Sequence, residues 1–217
     1  MVIPVSAPPR VRAHLRGAPD GPVPVVHRGR DAVYVEVAGR VVGVVGRRAV
    51  AVPCALRADV EAFDVTSAAL RGGELHLDGE PLRIGRVVDV SVPRRATGAT
   101  APAPPPGDVD RMVGHGDGLT PYDDDVLCGW FAAHRALGVA TPDVDAAVRA
   151  RLDRTTLLSA TLLDCAMHGE AIPEFTTWLA APADPTRTAA LAAVGHSSGR
   201  GLLQGGRFAL DHLRSAA

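Results

Sequence analysis

Two hydrophobic patterns divide the chain, and they predict strands in the first half and helices in the second. Residues 31–37 alternate between apolar and polar side chains, which is the pattern of a half-buried strand. Short Val- and Leu-rich runs separated by turn residues such as Asp78-Gly79 are typical of strands joined by hairpins. The predicted strands cover residues 31–37, 40–45, 49–53, 75–77, 82–84 and 87–92, with a short helix at 59–70. Strands this short and this closely spaced predict a small antiparallel β barrel or sandwich.

Apolar side chains in the second half follow the spacing of helices instead. From Val126 to Leu137 they recur at helical intervals and form one face. Thr120-Pro121 and Thr141-Pro142 each place a capping residue before a proline, which is a helix start signal. The predicted helices cover residues 121–137, 142–168 and 173–179, with a final helix after Gly199. The predicted fold class is therefore α+β, with an N-terminal β-rich domain and a C-terminal α-helical domain.

Proline marks the boundary between the two patterns. Residues 93–108 read PRRATGATAPAPPPGD, a composition that holds neither a helix nor a central strand. Such a segment is expected to be an extended, semi-rigid connector. The predicted organisation is a β-rich domain at 1–92, a linker at 93–108 and a helical domain at 109–217.

Composition narrows the chemistry that is open to the protein. The formal net charge is −1, which gives no general attraction to nucleic acid. This total hides an uneven distribution, since residues 1–107 carry 14 Arg against 10 acids and residues 108–217 carry 9 Arg against 14 acids. All 23 Lys and Arg residues are Arg, so a Schiff-base lysine and a Gly-Lys phosphate-binding loop are both excluded. An anion must therefore be bound by Arg, hydroxyls, His or backbone amides.

Three observations indicate a cytoplasmic protein that does not insert into membranes. No apolar run approaches the ~20 residues needed to cross a bilayer. The first residues lack both the basic and the apolar region of a secretion signal. The cysteines, Cys54, Cys128 and Cys165, are odd in number and far apart, which indicates reduced thiols.

The most informative segment is a glycine-rich loop that leads into a predicted helix. It contains Gly114, Gly116, Gly118 and Thr120, followed by three consecutive aspartates, Asp123, Asp124 and Asp125. Alternate glycines allow a ligand to approach the backbone closely, and free amides at a helix start attract anions. A helical wheel places Asp123 and Asp124 on the apolar face and turns Asp125 toward solvent. The aspartates either complement the helix dipole or bind a ligand.

A second loop has the same design. His196, Ser197, Ser198 and Gly199 precede the last predicted helix, and they supply hydroxyls and an imidazole. The two loops, if brought together, would bind one ligand carrying phosphate or carboxylate groups. The alternative is ordinary serine capping of a helix.

Further polar side chains extend this hypothesis. Thr155 and Ser159 lie in the predicted 142–168 helix, where they either line a polar pocket or bond to a carbonyl one turn earlier, the latter being favoured. His115 and His196 are candidates for moving a proton, while His134 is expected to be a core-edge histidine with its hydrogen bonds satisfied. Asp124 and Asp123 are candidate ligands for Mg²⁺. Gly205-Gly206 is expected to allow close approach of a neighbouring helix.

These blocks together resemble a bacterial family of unknown function that includes the third subunit type of oxamate carbamoyltransferase. The resemblance rests on the loop from Gly114 to Asp125, on residues 155–163, and on the loop at 195–199 with the following Leu202-Leu203. The family pattern emphasises Asp124 and Asp125 rather than Asp123 and Asp124. This chain departs from the pattern at Asp117, at Tyr122-Asp123 and at Gly201.

The resemblance implies a reversible reaction in which oxalurate and phosphate give oxamate and carbamoyl phosphate. It also implies companion subunits similar to acyl-CoA synthetase subunits. Asp124 would orient the ligand, with or without Mg²⁺, while His196 or His115 moves a proton. The alternatives are a non-catalytic subunit that binds a small anionic metabolite or assembles partner enzymes, and a paralogue that has lost activity.

Overall fold

The computed structural model describes residues 2–94 and 101–215, and it divides into two compact units, Met1–Asp89 and Val90–Ala217. The first unit is a curled, nine-stranded sheet with one helix, and the second unit is helical. The predicted α+β class, with β structure first and helices second, is confirmed. Ala103 and Pro104, from the second part of the predicted linker, contact the helical unit, whereas residues 95–100 lie outside the described residues.

The first unit is built from strands with buried Val and Leu side chains. Its elements are β1 (Ile3–Ala7), α1 (Pro9–Gly17), β2 (Gly21–Pro22), β3 (Val25–Arg28), β4 (Ala32–Val37), β5 (Arg40–Val45), β6 (Ala55–Ala58), β7 (Ala68–Arg71), β8 (Glu74–Leu77) and β9 (Glu80–Val87). The strand order is β2-β7-β8-β9-β1-β6-β5-β4-β3. The apolar face of α1, with Val11 and Leu15, packs into the core of this sheet.

The sheet is mixed rather than purely antiparallel. β1 pairs in parallel with β9, and β5 pairs in parallel with β6. The predicted hairpin around Asp78-Gly79 is confirmed, because β8 and β9 are antiparallel neighbours. Local turn signals identify hairpins. The parallel pairing of β1 with β9 joins strands that are distant in sequence, and the consecutive strands β5 and β6 are joined by a longer connection instead of a tight turn, so neither pair has such a signal.

Three expectations for the first unit are wrong. Residues 49–53 form turns and irregular chain, and the strand comes later, at β6. The strand predicted at 87–92 does not form, because β9 ends at Val87. Residues 59–67 are irregular rather than helical, since the amides of Thr66 and Ser67 bond to the carboxylate of Asp78 instead of to a preceding turn.

The helical unit is organised around one buried helix. Its elements are α2 (Val109–Met112), α3 (Tyr122–Ala136), α4 (Pro142–Arg149), a 3₁₀ turn (Leu152–Arg154), α5 (Leu157–Met167), α6 (Pro173–Ala180), α7 (Pro185–Ala192) and α8 (Ser198–Ser215). Trp130 and Phe131 of α3 are fully buried, and α3 packs against both α5 and α8. Gly205 of α8 is essential to this packing, because a Cβ there would lie 1.8 Å from the carbonyl oxygen of Val126. The predicted close approach at Gly205-Gly206 is therefore confirmed.

The single long helix predicted at 142–168 is wrong, because the chain folds there as α4, the 3₁₀ turn and α5. Thr155 is extended, with φ −119° and ψ 176°, and Thr156 caps α5 by accepting a hydrogen bond from the amide of Ser159. Gly114 approaches this break so closely that a Cβ would lie 2.2 Å from the carbonyl oxygen of Arg154. The interruption thus places residues 154–159 beside the first glycine loop.

His134 is a core histidine, as expected. Its Nδ1 donates to the carbonyl of Trp130 at 2.8 Å, and its Nε2 accepts the amide of Ala103 at 3.0 Å. Burial lowers the pKa of His134 to about 4, so the ring is neutral and its two hydrogen bonds define the tautomer. The three cysteines are buried thiols and not part of disulfides, in agreement with the prediction of reduced thiols. Within residues 2–94 and 101–215, no helix combines the length and the apolar character that a membrane crossing requires.

Candidate functional site

The first glycine loop, residues 114–120, has a backbone conformation that depends on its glycines. Gly114, Gly116 and Gly118 have φ angles of 80°, 117° and 91°, a region that disfavours other residues. A Cβ on Gly116 would also lie 2.6 Å from the amide nitrogen of Tyr122, so the loop folds tightly onto the start of α3. The alternate glycines therefore serve the path of the backbone itself.

Asp124 fixes this loop to two other elements. One carboxylate oxygen accepts the amide of Gly114 at 2.9 Å. The other accepts the hydroxyls of Thr155 at 2.5 Å and Ser159 at 2.7 Å. The residue is fully buried, and three donors compensate the cost of burying its charge.

Thr155 and Ser159 thus act through Asp124. The favoured expectation, a bond from each hydroxyl to a carbonyl one turn earlier, is wrong for both residues, whereas Thr161 of α5 does bond to the carbonyl of Leu157. Thr156 adds a second connection, since its hydroxyl donates to the carbonyl of Leu119 in the first loop at 2.6 Å. A Thr capping signal at 156 was available in the sequence and would have identified the start of α5.

Asp125, the next residue, has very different surroundings. It is 5% exposed, and its Oδ2 has no hydrogen-bond partner among the described residues. Burial raises the pKa of Asp125 to about 7, the nearby hydroxyls of Ser198 and Thr120 oppose the rise, and the charge of Asp124 adds to it. The helical wheel, which turned Asp125 toward solvent, is wrong because α8 covers that side of α3.

The two glycine loops meet at this carboxyl. The hydroxyls of Thr120 and Ser198 lie 2.9 Å apart, although the residues are 78 positions apart in sequence. Thr120 therefore does not cap α3, whose N-cap is Pro121. Gly201, one turn into α8, lies against Asp125, because a Cβ there would be 2.8 Å from the Cβ of Asp125. The sequence hypothesis that the loops come together agrees with this geometry.

The other loop residues lie at the surface. His115 is exposed, and its Nδ1 lies 2.8 Å from a carboxylate oxygen of Asp123. His196 is exposed and its carbonyl accepts a bond from the guanidinium of Arg200, while Ser197 is half-buried. Gly199 serves packing, because a Cβ there would lie 1.9 Å from the carbonyl oxygen of Leu191.

The amides at the start of α3 are already used within the protein. The amide of Asp123 donates to the carbonyl of His115, and those of Asp124 and Asp125 donate to Pro121. The predicted oxyanion site at this helix start therefore has no free donor at these three positions.

Asp123 and Asp124 do not fit the Mg²⁺ ion considered for them. Both oxygens of Asp124 accept hydrogen bonds from neutral donors, and Asp123 pairs with His115. Residues 2–94 and 101–215 contain no group of three or more His, Cys, Asp or Glu side chains arranged to hold a metal ion.

The match to a known protein family lies in the helical unit. Residues 112–210 match the family described as "Oxamate carbamoyltransferase subunit AllH", a span that covers both loops, α3 to α7 and α8 as far as Leu210. The resemblance inferred from the motifs is confirmed for this region. No curated protein and no solved structure matches the chain.

Proposed function

We propose that the helical unit acts as an oxamate carbamoyltransferase-type subunit that binds a small carbamoyl or oxamate ligand where the two glycine loops meet. The observation that carries this proposal is the cluster of Asp125, Thr120 and Ser198, which we name the two-loop site. It joins the two segments that carry the family resemblance and lies within the matched region. A subunit of this kind works with companion chains, and acyl-CoA-synthetase-like subunits remain the expected partners.

The side chains at the two-loop site suit a ligand with both acceptor and donor groups. The hydroxyls of Thr120 and Ser198 donate or accept as the ligand requires, so they can bind carboxylate or phosphate oxygens. Ser197 and the glycines Gly114, Gly116, Gly118 and Gly199 belong to the loops around it. Asp124 acts as a positioning residue, because it attaches the first loop to Thr155 and Ser159.

The reaction requires a proton transfer, and the loops supply candidates for it. A phosphate oxygen attacks the carbamoyl carbon of oxalurate, and the bond from that carbon to the oxamate nitrogen breaks. The leaving nitrogen takes up the proton that hydrogen phosphate gives up, so atoms and charges balance. His115 and His196 are exposed at the loops and are suited to carry this proton. Asp123 holds Nδ1 of His115 and leaves Nε2 as its free nitrogen.

Calorimetric titration of the full chain with oxamate, carbamoyl phosphate and inorganic phosphate tests this proposal. We expect saturable binding by the native chain and at least about tenfold weaker binding by Ser198→Ala, which removes a hydroxyl from the two-loop site. Ser215→Ala removes the other serine of α8 and should bind as the native chain does. Absence of binding, or equal binding by both variants, would place the ligand elsewhere.

Turnover separates a catalytic subunit from a binding subunit. The measurement is phosphate-dependent release of oxamate from oxalurate by the chain alone and with its companion subunits. Release that disappears in His115→Gln or His196→Gln supports the proton-transfer roles. If the ligands bind but no oxamate is released, either by the chain alone or with its companion subunits, the chain is a metabolite-binding or assembly subunit.

A further inference from the structure

The two-loop site contains one buried atom with an unmet hydrogen-bonding requirement. Oδ2 of Asp125 is enclosed and has no partner among the described residues, although the residue is 5% exposed. A buried carboxylate oxygen without a donor is costly. The same carboxyl is aimed at the point where the two loops meet, next to Ser198 and Thr120.

Above about pH 7, where Asp125 is ionised, the missing partner must be a hydrogen-bond donor. A carboxylate accepts only, so a phosphate or carboxylate group placed against Oδ2 would bring two acceptors together. The nearby hydroxyls of Thr120 and Ser198 form a contact with each other, 2.9 Å apart. The adjacent Asp124 shows the contrast, since amide and hydroxyl donors fill both of its oxygens.

The surrounding backbone holds Asp125 in place for such a role. Gly201 leaves room for its Cβ, and Ser198 lies one turn earlier on the same helix, so one turn of α8 contributes to both the packing and the polar contact. The contact between Thr120 and Ser198 closes the site in this structure. A ligand reaches Oδ2 when these two hydroxyls separate and bond to the ligand instead.

We propose that Asp125 determines the specificity of the two-loop site by accepting an N–H from the carbamoyl or primary amide end of the ligand, whose acidic end takes the hydroxyls of Thr120 and Ser198. This inference rests on the proposed function and adds the residue that recognises the amide end of the ligand. The site selects small acids that carry a –CO–NH₂ group. It discriminates against acids of the same size and charge that lack the N–H, because these leave Oδ2 unpaired.

Two matched ligand pairs test the inference by calorimetry on the full chain at about pH 8.5, where Asp125 is ionised. Pyruvate replaces the NH₂ of oxamate by CH₃ at equal charge, and acetyl phosphate does the same for carbamoyl phosphate. We expect the native chain to prefer the amide member of each pair by about tenfold or more, the range of a hydrogen bond to a charged group. Asp125→Ala should reduce the preference to within about twofold by weakening only the amide member.

The controls distinguish failure of this inference from failure of the proposed function. Asp117→Ala removes an exposed acid of the first loop and should keep the native preference. Asp125→Asn retains an acceptor oxygen without charge, so it should keep part of the preference and provides a second variant if Asp125→Ala does not fold. Equal binding of both members by the native chain, or an unchanged preference in Asp125→Ala, overturns the specificity role and leaves the binding site standing. Binding of neither member overturns both.

Discussion

Asp124 and Asp125 are neighbours in one helical turn and are both buried, yet their surroundings differ completely. The region around Asp124 supplies three donors from the first glycine loop and from residues 155–159. The region around Asp125 leaves Oδ2 without a partner and raises the pKa of the carboxyl to about 7. Burial alone therefore does not identify a functional carboxylate, and the number of its donors separates a structural acid from a candidate binding acid.

The largest expected effect is on the Asp124 side. Asp124→Ala leaves the amide of Gly114 and the hydroxyls of Thr155 and Ser159 without their acceptor, so the free energy of unfolding should fall by about 3–5 kcal/mol. Urea denaturation measures this loss. Asp123→Ala, one residue earlier and more exposed, should lose less than about 1 kcal/mol. Equal losses of unfolding free energy in the two variants would show that Asp124 is no more important to the structure than Asp123.

At Asp125 we expect the opposite effect on the free energy of unfolding, because removing this charge should stabilise the fold. Its pKa is raised from 3.8 to about 7, so the folded chain holds this proton more tightly than the unfolded chain. The resulting stabilisation is fully present below the unfolded value of 3.8 and is lost as the pH rises through about 7. The groups that face this carboxyl are Asp124, Cys128 and the hydroxyls of Thr120 and Ser198.

Asp125→Asn removes the charge, so its free energy of unfolding should exceed that of the native chain at about pH 8.5 by about 2–4 kcal/mol. The difference should shrink toward zero near about pH 4, and urea denaturation at the two pH values measures it. A variant that is less stable than the native chain at the higher pH would show that Asp125 is well partnered. Asp124→Asn should not be stabilising at either pH.

A smaller effect should follow from removing the cap beside Asp124. Thr156→Ala loses the bond from the amide of Ser159 and the bond to the carbonyl of Leu119, which should cost about 1–2 kcal/mol. Amide hydrogen exchange in the first turn of α5 should increase locally. Thr176→Ala removes a hydroxyl that donates to the carbonyl of Pro173 near the start of α6, and it should leave exchange in α5 unchanged.

The smallest effect is expected at the surface of the first loop. His115→Gln breaks an exposed pair with Asp123, so the free energy of unfolding should change by less than about 0.5 kcal/mol. Thermal denaturation checks this, and a large loss of stability would mean that His115 supports the loop rather than serving chemistry.

The sequence predicts the parts of the fold that local signals encode. The division into strands and helices, the turn at Asp78-Gly79 and the close contact at Gly205-Gly206 all follow from pattern and residue type. The parallel pairing of β1 with β9, and the contact of Gly114 with the break in the 142–168 segment, involve residues that are distant in sequence. No local pattern specifies such contacts. A prediction from helix propensity alone therefore extends the helix through residues 150–156.

The candidate site shows the same limit. Glycine spacing and the family resemblance identify both loops, and the hypothesis that the loops come together agrees with the contact between Thr120 and Ser198. The helical wheel misplaced Asp125 because a wheel describes one helix and contains no information about a second helix lying on it. The donors of Asp124 were recognised as polar residues, but their common acceptor became visible only when the packing of α5 was known.

The contacts of Ala103 and Pro104 with α3 have a practical consequence for dividing the chain. The carbonyl of Pro104 accepts the indole N–H of Trp130, and the amide of Ala103 completes the hydrogen bonding of His134. A recombinant fragment that starts at residue 109 would lack Ala103 and Pro104. The buried side chains of Trp130 and His134 would then lose these hydrogen-bond partners. A fragment that starts at Val90 keeps them, together with the backbone bonds from Val90 and Val92 to residues 169–171. Ala103 and Pro104 of the proline-rich segment therefore have to be retained when the helical unit is expressed on its own.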